Sequence, residues 1–144
     1  MTSVRQAASL TFATVKEGQT AVLERSVGEA EVAAFAKLSG DYSPLHVDEA
    51  FAKTTRFKGR VAHGMILGSF VSTLVGMDLP GCHAILLSVS LEFRKPVLLG
   101  DSVRVEARVA RKVEAFRMLE LEVKASNQRG ETVADGSAKV LVTA

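Results

Sequence analysis

The chain holds a single cysteine, Cys82, among its 144 residues. That excludes an intramolecular disulfide and a zinc cluster built from several cysteines. Cys82 and His83 are adjacent, so in a strand they would point to opposite faces rather than form a thiolate–imidazole pair. Cys82 therefore reads as a loop or strand-edge thiol. Neither sign of charge dominates: 18 basic and 16 acidic residues leave a net +2, too small and too mixed for a nucleic-acid surface. A long apolar run is also missing. Residues 61–77 are weakly charged but carry glycines, serines and His63, and they fall short of the ~20 apolar residues a bilayer span needs. No basic-then-apolar leader opens the sequence. These absences lead to the expectation of a soluble, cytoplasmic, reduced protein with no membrane and no nucleic-acid partner.

What is present is an ordinary globule, 47% hydrophobic and 24% charged. Its length suits one domain, residues 1–144, able to bury a core without staples. Residues 1–9 read as a loose polar arm. Thr20–Ser26 is a short strand after the Glu17-Gly18 turn. Residues 26–39 take helical spacing, with Val32, Phe35, Ala36 and Leu38 on one side and Glu29 and Glu31 in the first turn, where the helix dipole favours them. Gly40 is a stop signal. Residues 41–47 read as loop because of Pro44. Asp48 caps a short helix over 49–55. A long apolar helix begins at His63 and runs to Met77, before the Pro80-Gly81 turn.

The second half changes period. Leu87, Val89, Leu91 and Phe93 alternate with polar residues, and so do Val103 to Val109, Leu119 to Ala125 and Ala138 to Val142. Such alternation predicts antiparallel strands with one face in the core. Gly100-Asp101 and Gln128-Arg129-Gly130 punctuate them, and Ala115-Phe116 reads as a bend in one long hairpin. The resulting architecture is α+β, a curved antiparallel sheet wrapped around the long apolar helix. Met65, Gly68, Ser69, Ser72 and Gly76 fall on one face of that helix and are mostly small, so a sheet or a partner chain can approach closely.

Two segments carry chemistry. Ser39-Gly40-Asp41-Tyr42-Ser43-Pro44-Leu45-His46 sets a carboxylate five residues from an imidazole, in a loop. Such a pair can position a water and divide the two proton transfers of an addition across a double bond. It can equally be an Asx-turn aspartate beside a packing histidine. His63-Gly64-Met65 opens the apolar helix. A helix N-terminus offers unpaired N–H groups and partial positive charge, and glycine lets a ligand oxygen approach that backbone. The site can stabilise charge developing on a thioester oxygen. His63 itself reads as a structural residue at the helix start.

The run Phe35-Ala36-Lys37-Leu38-Ser39-Gly40-Asp41-Tyr42-Ser43-Pro44-Leu45-His46-Val47-Asp48 resembles the MaoC-like hot-dog family, and within it the (R)-specific enoyl-CoA hydratases. The resemblance continues through Ala50-Phe51-Ala52, His63-Gly64-Met65, Phe93-Arg94-Lys95-Pro96-Val97 and Gly100-Asp101, and covers roughly residues 16–143. It implies a hot-dog fold and reversible hydration of trans-2-enoyl-CoA to (R)-3-hydroxyacyl-CoA. It implies Asp41 and His46 as the catalytic pair and Gly64 as the oxyanion donor. Ser72 and Ser43 follow as substrate-binding residues, although the family usually has Asn at the position of Ser43. By position, Arg60, Arg94 and Lys95 are candidates for coenzyme A contacts. The resemblance further implies a homodimer and neither cofactor nor metal, the acyl-CoA being substrate. The rival readings are a dehydratase acting on acyl carrier protein, a hot-dog thioesterase, and a non-catalytic acyl-CoA-binding module. The thioesterase commonly projects a carboxylate from its central helix, and residues 64–77 hold none.

Overall fold

The computed structural model describes residues 4–144. Five strands make one antiparallel sheet: β1 (Thr20–Val27), β2 (Ala84–Phe93), β3 (Asp101–Val113), β4 (Met118–Asn127) and β5 (Thr132–Val142). Their spatial order is β1-β3-β4-β5-β2, so β1 and β2 are the two edges. Four helices fall between β1 and β2: α1 (Glu29–Ser39), α2 (Pro44–Val47), α3 (Glu49–Thr54) and α4 (Met65–Met77). This is the hot-dog arrangement, with α4 against the sheet. No helix among the described residues is long and apolar enough to cross a membrane.

The inner strands follow their alternation. Val103, Val105, Ala107 and Val109 of β3 and Leu119, Leu121, Val123 and Ala125 of β4 are all buried. They meet Ile66, Leu67, Val71, Leu74 and Val75 of α4 in a single core, at the i, i+4/5, i+8/9 spacing of a buried helical stripe. The bend between β3 and β4 is a 3-10 turn over Glu114–Phe116.

Four expectations are corrected. The strand expected over Thr20–Ser26 is there and runs on to Val27, which pairs with Asp101 of β3, so the helix expected from residue 26 starts only after Gly28. Leu38, expected on the packed side of α1, is 85% exposed. Residues 44–47 form one helical turn rather than loop: Pro44 is its first residue, where the missing N–H costs nothing. The arm is held rather than loose over its described part. Ala8 N–H donates to the Met77 carbonyl, Cys82 N–H to the Ala8 carbonyl and Leu10 N–H to the Pro80 carbonyl. Arg5 pairs with Asp78 at 2.5 Å. Residues 1–3 lie outside the described part. Cys82 is a free, exposed thiol in the α4–β2 loop.

The edge strand β2 has the expected period but not the expected burial. Its register slips at Leu87, between Leu86 and Ser88, and Ile85, Leu86, Leu87, Val89 and Phe93 are all exposed. Among the described residues only β5 pairs with it, and one edge is left open. Gly136 of β5 permits that one pairing, since a Cβ there would sit 1.8 Å from the Ser90 carbonyl oxygen. On α4 the stripe Met65, Ser69 and Ser72 is likewise uncovered.

Candidate active site

The loop that carries Asp41 is shaped by its own polar groups. α1 ends at Gly40, whose φ of 78° and N–H to the Ala36 carbonyl close the helix. Ser39 Oγ donates back to the Phe35 carbonyl and accepts from Asp41 N–H. Asp41 Oδ1 then accepts from Ser43 N–H at 3.1 Å, an Asx-turn that leads into Pro44 and α2. The Asx-turn and a chemical role coexist, because a carboxylate has further lone pairs to offer.

His46, the third residue of α2, is half-buried. Its Nδ1 lies 2.6 Å from the Val61 carbonyl oxygen. A carbonyl only accepts, so Nδ1 carries the proton and the neutral ring presents the Nε2 lone pair. The segment 60–64 runs along α2. Arg60 Nε donates to the His46 carbonyl at 2.6 Å, Val61 N–H to Leu45, and Ala62 N–H to the Val97 carbonyl. His63 follows, 3% exposed. It stacks on His46 with centroids 4.0 Å apart and packs tilted against Phe35 at 4.8 Å. Its Nε2 donates to the Asp41 carbonyl at 2.9 Å, and its buried Nδ1 has no partner among the described residues. An orphaned buried acceptor costs about 1–3 kcal/mol.

Asp41, His46 and His63 each bring one polar side-chain atom within 4.8 Å of the others. One water can bridge such a span. The same trio has the composition of a metal site, but two of its four ring nitrogens are taken by carbonyl oxygens.

A cavity of about 400 Å³ opens at this point, lined by His46, Gly64, Met65, Phe57, Phe93 and Val97 among others. Gly64 precedes α4, and among the described residues no acceptor meets its N–H or that of Met65. The structure thus brings Asp41 within reach of His46, and His46 and Gly64 to one cavity. It does not bring the rest. Ser43 caps α2 with an exposed side chain that makes no capping bond, outside the cavity. Ser72 lies on the uncovered stripe of α4, also outside it.

The three basic candidates divide. Arg60 is a correction: it grips Glu29 at 2.5 Å and the His46 carbonyl, with a side chain only 13% exposed. It braces α2 and is not at the cavity. Arg94 and Lys95 do line the cavity, yet both are paired, Arg94 with Asp135 and Glu92 and Lys95 with Glu131. Arg56, which sequence reasoning passed over, lines it too and stacks on the Phe57 ring at 4.8 Å. The only signal available for it was a basic residue beside an aromatic one. His63 was read as structural with no partner named, and its bond to Asp41 spans 22 residues.

Lys95 and Arg129 hold the Glu131 carboxyl far below its ordinary 4.5, to about 2. A depressed carboxyl contributes stability that is complete above the ordinary value and fades as pH falls toward the folded one. Glu131→Gln should therefore lower the urea midpoint at pH 6. The gap to the unmodified chain should narrow between pH 4.5 and 2. A gap independent of pH would show that the ion pairs contribute nothing.

Three comparisons bear on this geometry. Residues 11–130 match the family described as MaoC like domain. The chain is 45% identical to an (R)-specific enoyl-CoA hydratase of Aeromonas caviae, over 85% of this chain and 92% of that one. It is 39% identical to an (R)-specific enoyl-CoA hydratase of Rhodospirillum rubrum, over 92% of each. The solved structure of an unliganded R-hydratase from Pseudomonas aeruginosa superposes with a TM-score of 0.90 at 37% identity, covering 95% of this chain and 88% of that one.

Proposed function

The chain belongs to the MaoC-like family, and from that premise we propose that it is an (R)-specific enoyl-CoA hydratase. It adds water across the double bond of a trans-2-enoyl-CoA to give the (R)-3-hydroxyacyl-CoA, and runs the reverse. The observation that carries this reading is the Asp41 carboxylate within 4.8 Å of His46, which shares one largely apolar cavity with the free N–H of Gly64.

In this mechanism a water sits between the Asp41 carboxylate and His46 Nε2. Asp41 takes its proton as the oxygen attacks C3, and the pair returns a proton to C2 from the same face. Negative charge gathers on the thioester oxygen, which meets Gly64 N–H and the positive end of the α4 dipole. Val61 supports the assignment by holding Nδ1–H and so leaving Nε2 for the water. No cofactor or metal enters these steps. The absence of an acid within α4 weighs against a thioesterase, since Asp78, just past its end, is spent on Arg5.

We further propose a homodimer, working in the cytoplasm. The open β2 edge, with its exposed apolar side chains, is a strand that a soluble protein must cover. A second copy pairs with it about a two-fold axis and covers the Met65, Ser69 and Ser72 stripe of α4. That places Ser72 where the partner completes the acyl channel. Sedimentation should give about twice the 15.4 kDa chain mass; a monomer would overturn the dimer.

The function is tested with C4 to C12 enoyl-CoA substrates. The enoyl-thioester absorbance should fall and an (R)-specific dehydrogenase should oxidise the product. No turnover, with hydrolysis of saturated acyl-CoA instead, overturns the hydratase reading.

A further inference from the structure

His46 is fixed to the Val61 carbonyl, and Gly64 lies three residues on in the same segment. The Asp41 carboxylate comes from a different element, an exposed loop whose contacts through Ser39 Oγ and Ser43 N–H are all local. Those contacts shape the loop and, through the Ser43 carbonyl that accepts His46 N–H, join it to the start of α2. One bond ties the loop to segment 61–64: His63 Nε2–H to the Asp41 carbonyl, 2.9 Å long and 22 residues apart in sequence.

Packing alone does not explain a histidine here. His63 is 3% exposed between the rings of Phe35 and His46. A phenylalanine would fill that stack and leave no orphaned Nδ1. What the imidazole adds is a donor at Nε2, and the carbonyl it reaches belongs to Asp41. We propose that His63 is a positioning residue. It locks the Asp41 loop to segment 61–64, so that carboxylate, imidazole and the Gly64 amide share one frame of reference. The catalytic consequence rests on the hydratase reading; the anchoring itself does not.

Two substitutions separate the roles of the ring and the donor. His63→Phe keeps the aromatic stack and removes the N–H, whereas His63→Gln keeps a donor and removes the ring. Each is measured for crotonyl-CoA hydration and for amide hydrogen exchange at Asp41 and Ser43. His63→Phe should lower kcat about 10–100-fold, the scale of a misplaced catalytic group. Its KM should stay near that of the unmodified chain, and both amides should exchange faster. His63→Gln should recover about tenfold or more of the lost kcat. Unchanged kcat or unchanged exchange in His63→Phe overturns the proposal, as does a His63→Gln no better than His63→Phe. If His63→Phe does not fold, His63→Gln decides. Turnover within about tenfold of the unmodified chain and normal exchange at Ser43 support the donor role, and a loss as deep as that of Asp41→Asn refutes it. An unmodified chain inactive on every enoyl-CoA refutes the hydratase reading instead, while exchange at Asp41 and Ser43 still reports on the anchor.

Discussion

Asp41→Asn should remove hydration of crotonyl-CoA by about 10²–10⁴-fold, the usual contribution of general acid–base assistance, and leave the fold intact. The fold survives because Asn keeps what Asp41 gives its loop. An amide oxygen still accepts Ser43 N–H, and the main-chain bonds to Ser39 and His63 are untouched. The side chain is exposed, so no core contact is lost. What an amide cannot do is take the proton of a water. His46→Gln should fall as far, because the remaining partner has no water to share. If the two act as one unit, the double variant should be little worse than either single one. Unmodified turnover in Asp41→Asn or in His46→Gln, with an unchanged urea midpoint, would refute the mechanism.

These two groups were readable from sequence because they are local: five residues separate them, and the turn between them is set by Gly40, Ser43 and Pro44. The inner strands were readable for a similar reason. β3 and β4 are flanked on both sides, so every alternate side chain finds the core. β2 carries the same alternation and stays exposed, because period reports which face a residue takes and not whether anything lies opposite it. The helix start expected at Ser26 failed on tertiary grounds, since pairing of Val27 with Asp101 outweighs a local helix signal. Arg60 was misread for lack of long-range information. Its partner Glu29 is 31 residues away, and a basic residue near a motif looks the same whether free or paired. His63 shows the same limit from the other side. Its place in the motif was visible, but the Asp41 carbonyl it serves is a main-chain atom that no residue type announces.

Gly64→Ala tests the other half of the site. Gly64 has φ −58° and ψ −36°, which any residue adopts, so the backbone does not require glycine. Space does. A Cβ there would lie 2.9 Å from Phe93 Cε1 and 3.1 Å from Cζ, inside the cavity wall. Phe93 is 52% exposed on the open β2 edge, so its ring can swing aside at small cost to stability. The catalytic cost is larger. The methyl group and the displaced ring then occupy the approach to the amide that meets the thioester oxygen. Loss of one oxyanion donor lowers kcat about 10²–10³-fold, and the α4 dipole, at about 0.3–1 kcal/mol, does not replace it. Gly64→Ala should therefore lose hydration on that scale with little change in the urea midpoint. Adding Phe93→Ala should restore part of the rate by giving the methyl group room. A Gly64→Ala chain with unmodified kcat would move the thioester oxygen away from this amide, and the charge that forms on it would need another donor.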